Sequence, residues 1–344
     1  MRHENNFNFL RFWLAWVVIL SHSFELIDGN RSRELLTQAF HTYSFGEFAV
    51  NAFFLMSGFF IAQSWVFSPH FGDFIKKRLL RLLPGFFCAV LISVFIVGPL
   101  ASPHYWQNFP HWRFWPGLLV LRFDSPYSFD GWPYPMINGP LWTLHYEYVC
   151  YWLVAALGVM QLITRRTLMI GLFVAVLAAY LLMMYKGLNH YQPETEYGFW
   201  AWTYGGRYIR LFAFFMAGVV WFNERERFKL NGYWALAIAA LCVALFGNHY
   251  GAAIAMTLPF AYLLHYLGNR PMPALRVFQP VDLSYGMYLY AWPIQKLLLY
   301  YGVTRNAWML TAITSVLCIA AAFASWYAVE KPFLKLKPKP RAAA

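Results

Sequence analysis

Charge is what this sequence has least of. Asp, Glu, Lys and Arg make up 12% of its 344 residues, about half the share of a water-soluble domain. Apolar residues reach 60%. A fold in water could not cover that much apolar surface, so a soluble globular class is excluded and a bilayer becomes the expected solvent. Cysteine is also scarce. Cys88, Cys150, Cys242 and Cys318 all fall in apolar stretches, without CxxC spacing or a neighbouring histidine set, so neither a disulfide framework nor a metal site is expected. The N-terminus leads straight into a long apolar run without a small-residue cleavage site, so that run reads as a retained first span and not a removed signal.

Apolar runs and aromatics are what the chain has instead, the latter at 21%; Trp and Tyr collect where helices meet lipid headgroups. A span needs about 20 mainly apolar residues. That rule predicts spans over 8–27, 46–66, 80–101, 138–160, 167–186, 203–222, 232–247, 249–268, 283–301 and 306–328. The expected fold is all-α, a polytopic transmembrane helix bundle of about ten spans, with one membrane domain over 1–334 and a short basic tail over 335–344. The formal net charge of +12 would suit nucleic acid, but its placement is topological. With the termini inside, inner segments hold eighteen Lys and Arg and outer segments seven. The positive-inside rule then puts both termini in the cytoplasm, and no nucleic-acid partner is needed.

The longest outer connection, about 102–137, carries His104, Tyr105, Trp106, Phe109, Trp112, Phe114, Trp115, Tyr127, Trp132 and Tyr134. It reads either as an interfacial aromatic belt or as a platform on which an acceptor stacks.

Ionisable side chains inside a bilayer are functional candidates by default. Arg11 and His22 are eleven residues apart in the first helix, three turns plus about 20°, so they share a face about 16 Å apart along the axis. The alternatives are a snorkelling arginine and a structural histidine. Glu147 in the fourth span is expected about 13 Å below the outer edge and His22 about 9 Å below it. Similar depth would let the carboxylate orient the imidazole; alternatively Glu147 braces the bundle against Arg210 or Lys296. Arg78 and Arg81, at helical i, i+3 spacing within a basic run, suit a phosphate clamp with Arg11 nearby, although basic clusters are common at inner helix ends. Gly58, after Ser57, permits close approach of another backbone or a narrow ligand. Pro293 is expected to kink the ninth span.

With these residues assembled, the chain resembles the membrane acyltransferase 3 family of bacterial surface-glycan O-acyltransferases. Arg11 and His22 look like its Arg/Lys-X10-His motif, Phe53-Phe54 with Ser57-Gly58-Phe59 its second-helix block, and Arg78-X-X-Arg81 its Arg-X-X-Arg motif. Leu141-Trp142-Thr143-Leu144 with Tyr146-Glu147 resembles the fourth block. Ser284-Tyr285, Tyr288-Leu289 and Pro293, then Glu330-Lys331-Pro332, resemble the closing ones. Many members carry a histidine where this chain has Ala291, so no role for that histidine carries over.

The resemblance implies a multi-pass acyltransferase domain over 1–334 in the bacterial inner membrane, with acetyl-CoA as cytoplasmic donor. The acceptor is a hydroxyl of an extracytoplasmic glycan or lipid-linked saccharide. Arg11, Arg78 and Arg81 are then expected to hold the donor, and His22 with Glu147 to act as catalytic pair, the histidine being either general base or acyl-carrying nucleophile. Ser57, Gly58, Trp142, Tyr285 and Tyr288 are motif residues of the substrate region. The competing expectation is a proton-coupled transporter or flippase for a polysaccharide precursor, with His22 and Glu147 as a proton relay.

Overall fold

The computed structural model describes residues 5–107, 109, 111–123, 128–187 and 196–338; of residues 111–113 and 196–205 it describes the backbone alone. Among the described residues there is no β-strand and the chain is a helical bundle. Its principal helices are α1 (Phe7–Asp28), α2 (Phe45–Val66), α3 (Phe71–Ile92), α4 (Trp142–Val159), α5 (Arg166–Tyr185), α6 (Glu196–Glu224), α7 (Gly232–Leu245), α8 (His249–Ala255), α9 (Leu258–Asn269), α10 (Ser284–Tyr300) and α11 (Ala307–Ser325). Five helices are long and apolar enough to cross a membrane, and α8 with α9, bent by 42° at the break between them, makes a sixth if taken as one span. The multi-pass membrane character read from composition thus has a structural counterpart.

Local chemistry explains where the helices depart from the expected spans. Helix α3 begins at Phe71, well before position 80, because the His70 side chain accepts the Asp73 N–H as an N-cap and Lys and Arg are good helix formers. The basic run is therefore helical, and Arg78 and Arg81 lie on a rigid element. The span expected over 249–268 is broken at Met256-Thr257, before Pro259 at the start of α9, where proline fits but cannot continue a helix. The span expected from 138 becomes α-helical only at Trp142, after a 3-10 turn over Gly139–Leu141.

Helices α2 and α6 cross backbone to backbone. A Cβ on Gly58 would collide with the Phe215 carbonyl, and one on Gly218 with the Leu55 carbonyl. The expected close approach at Gly58 is thus to a neighbouring helix. Helix α1 packs against α2, α10 and α11. Asn6 donates to the carbonyls of Leu267 and Arg270, Asn8 to that of Gln279, and Lys337 lies beside Lys77, Arg78 and Arg81. Both described ends of the chain therefore lie at one end of the bundle, called here the basic end.

Helix α10 positions the rest. Pro293 lies inside it and has no N–H, so the Leu289 carbonyl loses its helical partner. Asn138 Nδ2 donates to that carbonyl at 2.9 Å, and α10 continues through the proline as one helix. The same connection is tied to α10 at successive levels. Lys296 Nζ donates to the Pro133 carbonyl at 2.8 Å, Trp292 Nε1 to that of Met136 at 3.1 Å, and the Tyr288 hydroxyl to that of Pro140. As the connection advances from 133 to 140, its partner on α10 retreats from 296 to 288. The chain thus descends antiparallel to α10 by about 12 Å at helical rise before α4 starts.

Candidate functional site

Two polar stations lie along α1 and α10. At the basic end Asp282, just before α10, receives Arg81 Nη2 at 2.6 Å and Arg11 Nη1 at 3.6 Å. Its other oxygen accepts from the Ser284 hydroxyl at 2.5 Å and the Ser284 N–H at 3.2 Å. Burial alone would push this carboxyl up, but the Arg81 and Arg11 guanidiniums outweigh it and hold Asp282 below the ordinary carboxylate range. Arg81 also approaches Glu330 at 3.8 Å and lies over the Tyr285 ring, whose hydroxyl donates to the Leu82 carbonyl at 2.6 Å. Arg11 stacks on Phe60, 4.7 Å from the ring centroid.

Arg78 differs from its two neighbours. Its Nη2 donates to Ser64 at 3.2 Å, its buried Nε has no hydrogen-bond partner among the described residues, and no described carboxylate is within ion-pair distance. A half-buried guanidinium whose buried Nε is a free donor fits an anionic ligand, since leaving a buried donor unpaired is costly. Lys337 stands beside it. Burial, with Arg81, Arg78 and Lys77 nearby, pushes this amine down to about 8. Arg11, Arg78 and Arg81, the three cations read from sequence as a donor clamp, are therefore one cluster.

At the other station His22 meets the edge of Trp292, ring centroids 4.9 Å apart, and its Nδ1 is 2.9 Å from Glu25 Oε1. Glu25 is buried, and its second oxygen pairs with Arg31 Nε. Trp292 also packs edge-on against Tyr134, over which Arg31 extends. Gln295 Nε2 donates to the Ile19 carbonyl at 2.8 Å and to Ser23 at 2.7 Å, fixing α1 to α10 beside the histidine.

The expected pairing of His22 with Glu147 is corrected here. The carboxylate on His22 is Glu25, whereas Glu147 accepts from the Tyr151 hydroxyl and, at 3.5 Å, from Ser57. It stands within electrostatic range of Arg11 and Arg78. The depth estimate went astray because it counted helical rise from residue 138, while the descent along α10 carries the start of α4 well into the bundle. The bracing alternative does not hold either, since Arg210 pairs with Glu47 at 3.4 Å and Asn51, and Lys296 lies over the Phe129 ring.

Ser57 and Tyr285 join the arginine station. Tyr288 lies between the stations, 2.6 Å from the Thr143 hydroxyl. Trp142 belongs to neither: it packs on Tyr146 under the Arg207 guanidinium. The aromatic connection divides. Tyr105, Phe109 and Phe114 pack into a cluster of their own with Trp106 and Trp115, and Tyr134 goes to the His22 station. The side chain of Trp112 and all of Tyr127 lie outside the described residues. Sequence reasoning missed Glu25, although its i+3 spacing from His22 was legible, and Asp282, whose pairing needs three elements to meet. Among the described residues no cluster of three or more His, Cys, Asp or Glu is placed to hold a metal ion.

The profile of a family described as an acyltransferase domain matches residues 4–329. The chain belongs to this acyltransferase family. It is similar to an O-acetyl transferase of Shigella phage Sf6, 25% identical over 97% of this chain and 97% of that one. Nodulation protein 10 of Rhizobium leguminosarum bv. viciae is 26% identical over 97% and 94% of the two chains. The acyltransferase MdmB of Streptomyces mycarofaciens is 30% identical over 40% of this chain and 35% of its own. No solved structure matches. Family membership makes the chain an acyltransferase enzyme and removes the ground for reading it as a carrier.

Proposed function

We propose that this acyltransferase moves an acyl group, acetyl by default, from cytoplasmic acyl-CoA to a hydroxyl of an extracytoplasmic or lipid-linked glycan. The enzyme would be a bacterial inner-membrane protein of about ten spans with both termini inside. The observation that carries this reading is that the arginine cluster and His22 face the same helix. Arg11 meets Asp282 at the start of α10, and His22 meets Trp292 farther along it. The basic end would take the donor's phosphates, with Arg78 and its free donor central and Arg11, Arg81 and Lys337 around it. Glu147, held by Tyr151 and Ser57, would order Arg11 and Arg78 there.

The extended arm of the donor would then carry the thioester toward His22. The relatives named for O-acetyl transfer and acyl transfer support the reaction class. A histidine at the acceptor end suits proton removal from a hydroxyl or transient acylation.

The test uses the purified full chain in detergent. His22→Ala should keep donor binding and lose acetyl transfer to the native glycan. A joint replacement of Arg78 and Arg81 by alanine should weaken CoA binding at least tenfold. Full transfer by the first variant would remove His22 from the mechanism, and unchanged CoA affinity in the second would remove the clamp.

A further inference from the structure

His22 is joined to the buried carboxylate of Glu25, which is paired in turn with the exposed Arg31, a chain of contacts that no motif of the family resemblance contains. We infer that Glu25, held by Arg31, positions His22 for transfer by keeping the imidazole proton on Nδ1 and leaving Nε2 as the reactive nitrogen. The inference rests on the proposed role of His22 and deepens it.

The chemistry follows from donors and acceptors. An ionised carboxylate only accepts, and a guanidinium only donates. Arg31 Nε occupies Glu25 Oε2, so Oε1 faces Nδ1 at 2.9 Å and can be satisfied there only by an N–H. Nδ1 therefore carries the proton, and Nε2 has no partner among the described residues. The unit is rigid because Glu25 is three residues from His22 on the same helix. Arg31 follows on a short 3-10 turn whose cap is Asn30, accepting the Ser32 N–H at 2.8 Å. The nearby Glu34 is not a competitor, since its oxygens are taken by the Phe45 N–H at 2.6 Å and the Thr37 hydroxyl at 2.8 Å.

In the transfer step Nε2 accepts the proton of the acceptor hydroxyl while its oxygen bonds to the thioester carbonyl carbon. The carbon–sulfur bond then breaks, and the leaving thiolate takes the proton back from the imidazolium. Glu25 stays ionised and stabilises that imidazolium, as an orienting acid does for a catalytic histidine.

Replacing the carboxylate by an amide makes a sharp test. In Glu25→Gln, Arg31 claims the single amide oxygen and the side chain turns its N–H toward His22. Nδ1 must then accept, so the proton moves to Nε2. We expect kcat to fall at least 100-fold while KM for acetyl-CoA stays within twofold. In 15N-histidine-labelled protein the His22 resonances, assigned by their loss in His22→Ala, should change from the Nδ1–H to the Nε2–H pattern. Adding Arg31→Leu to Glu25→Gln frees the amide to rotate and should recover at least tenfold of the lost kcat.

A structural role alone would leave the tautomer unmoved and make the double variant worse than the single. Unchanged kcat and tautomer in Glu25→Gln would overturn the inference, as would an Nε2–H pattern in the unsubstituted protein, which can be read even if the variants do not fold. Retained activity in His22→Ala would instead overturn the reading on which it rests.

Discussion

Asp282, just before α10, and Trp292 within it are ten residues apart, and each meets one of the two ionisable residues of α1 singled out from sequence: Asp282 pairs with Arg11 and Trp292 packs on His22. At helical rise this separation is about 15 Å, close to the roughly 16 Å between Arg11 and His22 on their own helix. Two parallel helices thus hold two stations at matched spacing, and changes at either station should be separable.

Asp282 joins α1, α3 and α10 through two arginines, and its removal leaves both guanidiniums without their principal anchor. Asp282→Asn should destabilise the protein by about 3–5 kcal/mol, the usual cost of breaking a buried ion pair from one side. A thermal melt in detergent checks this, and an unchanged midpoint would show that Arg11 and Arg81 are held by other contacts.

Lys337 supplies the pH dependence. Its amine titrates at about 8 because it is buried beside three cations. It is charged below that value and neutral above it, so its attraction for an anionic donor is lost as pH rises. KM for acetyl-CoA should therefore increase above pH 8. Lys337→Arg, which stays charged, should flatten that rise, whereas a profile identical in both proteins would exclude Lys337 from donor binding.

At the α2–α6 crossing, Gly58→Ala and Gly218→Ala should each cost about 1–3 kcal/mol, because the added methyl meets a carbonyl of the facing backbone. Gly171 has open space around its Cβ position and serves as control: Gly171→Ala should be neutral or slightly stabilising, since alanine favours the helix. Equal melting points for all three would mean the crossing is looser than described.

Asn138 and Pro293 should couple. Asn138→Ala leaves the Leu289 carbonyl buried and unpaired, at a cost of about 1–3 kcal/mol. Pro293→Ala restores the helical N–H to that carbonyl, so the asparagine change should cost less in its presence. A double-mutant cycle measures this, and simple additivity would dismiss the link.

Much of the fold was legible because lipid is a simple solvent. It demands long apolar helices and satisfied backbones, so the helices at α1, α2, α5 and α11 fall close to where runs of apolar residues place them. The arginine cluster was legible in part for a similar reason: i, i+3 spacing puts Arg78 and Arg81 on one face of a helix whatever surrounds it. The pairing of His22 was not read correctly. Its partner lies on its own helix, at a spacing that periodicity shows equally well, yet a carboxylate in another span drew the assignment.

Sequence by itself determined the class of solvent, the helices, and the shared face of Arg11 and His22, because each follows from local geometry of about 100° and 1.5 Å per residue. Only the tertiary structure decided depth. The connection from Pro133 to Pro140 is tied to α10 by four hydrogen bonds at successive levels, so α4 starts deep in the bundle and Glu147 joins the arginines. No helical period encodes that descent. It depends on a carbonyl that Pro293 leaves free and an asparagine more than 150 residues away that fills it.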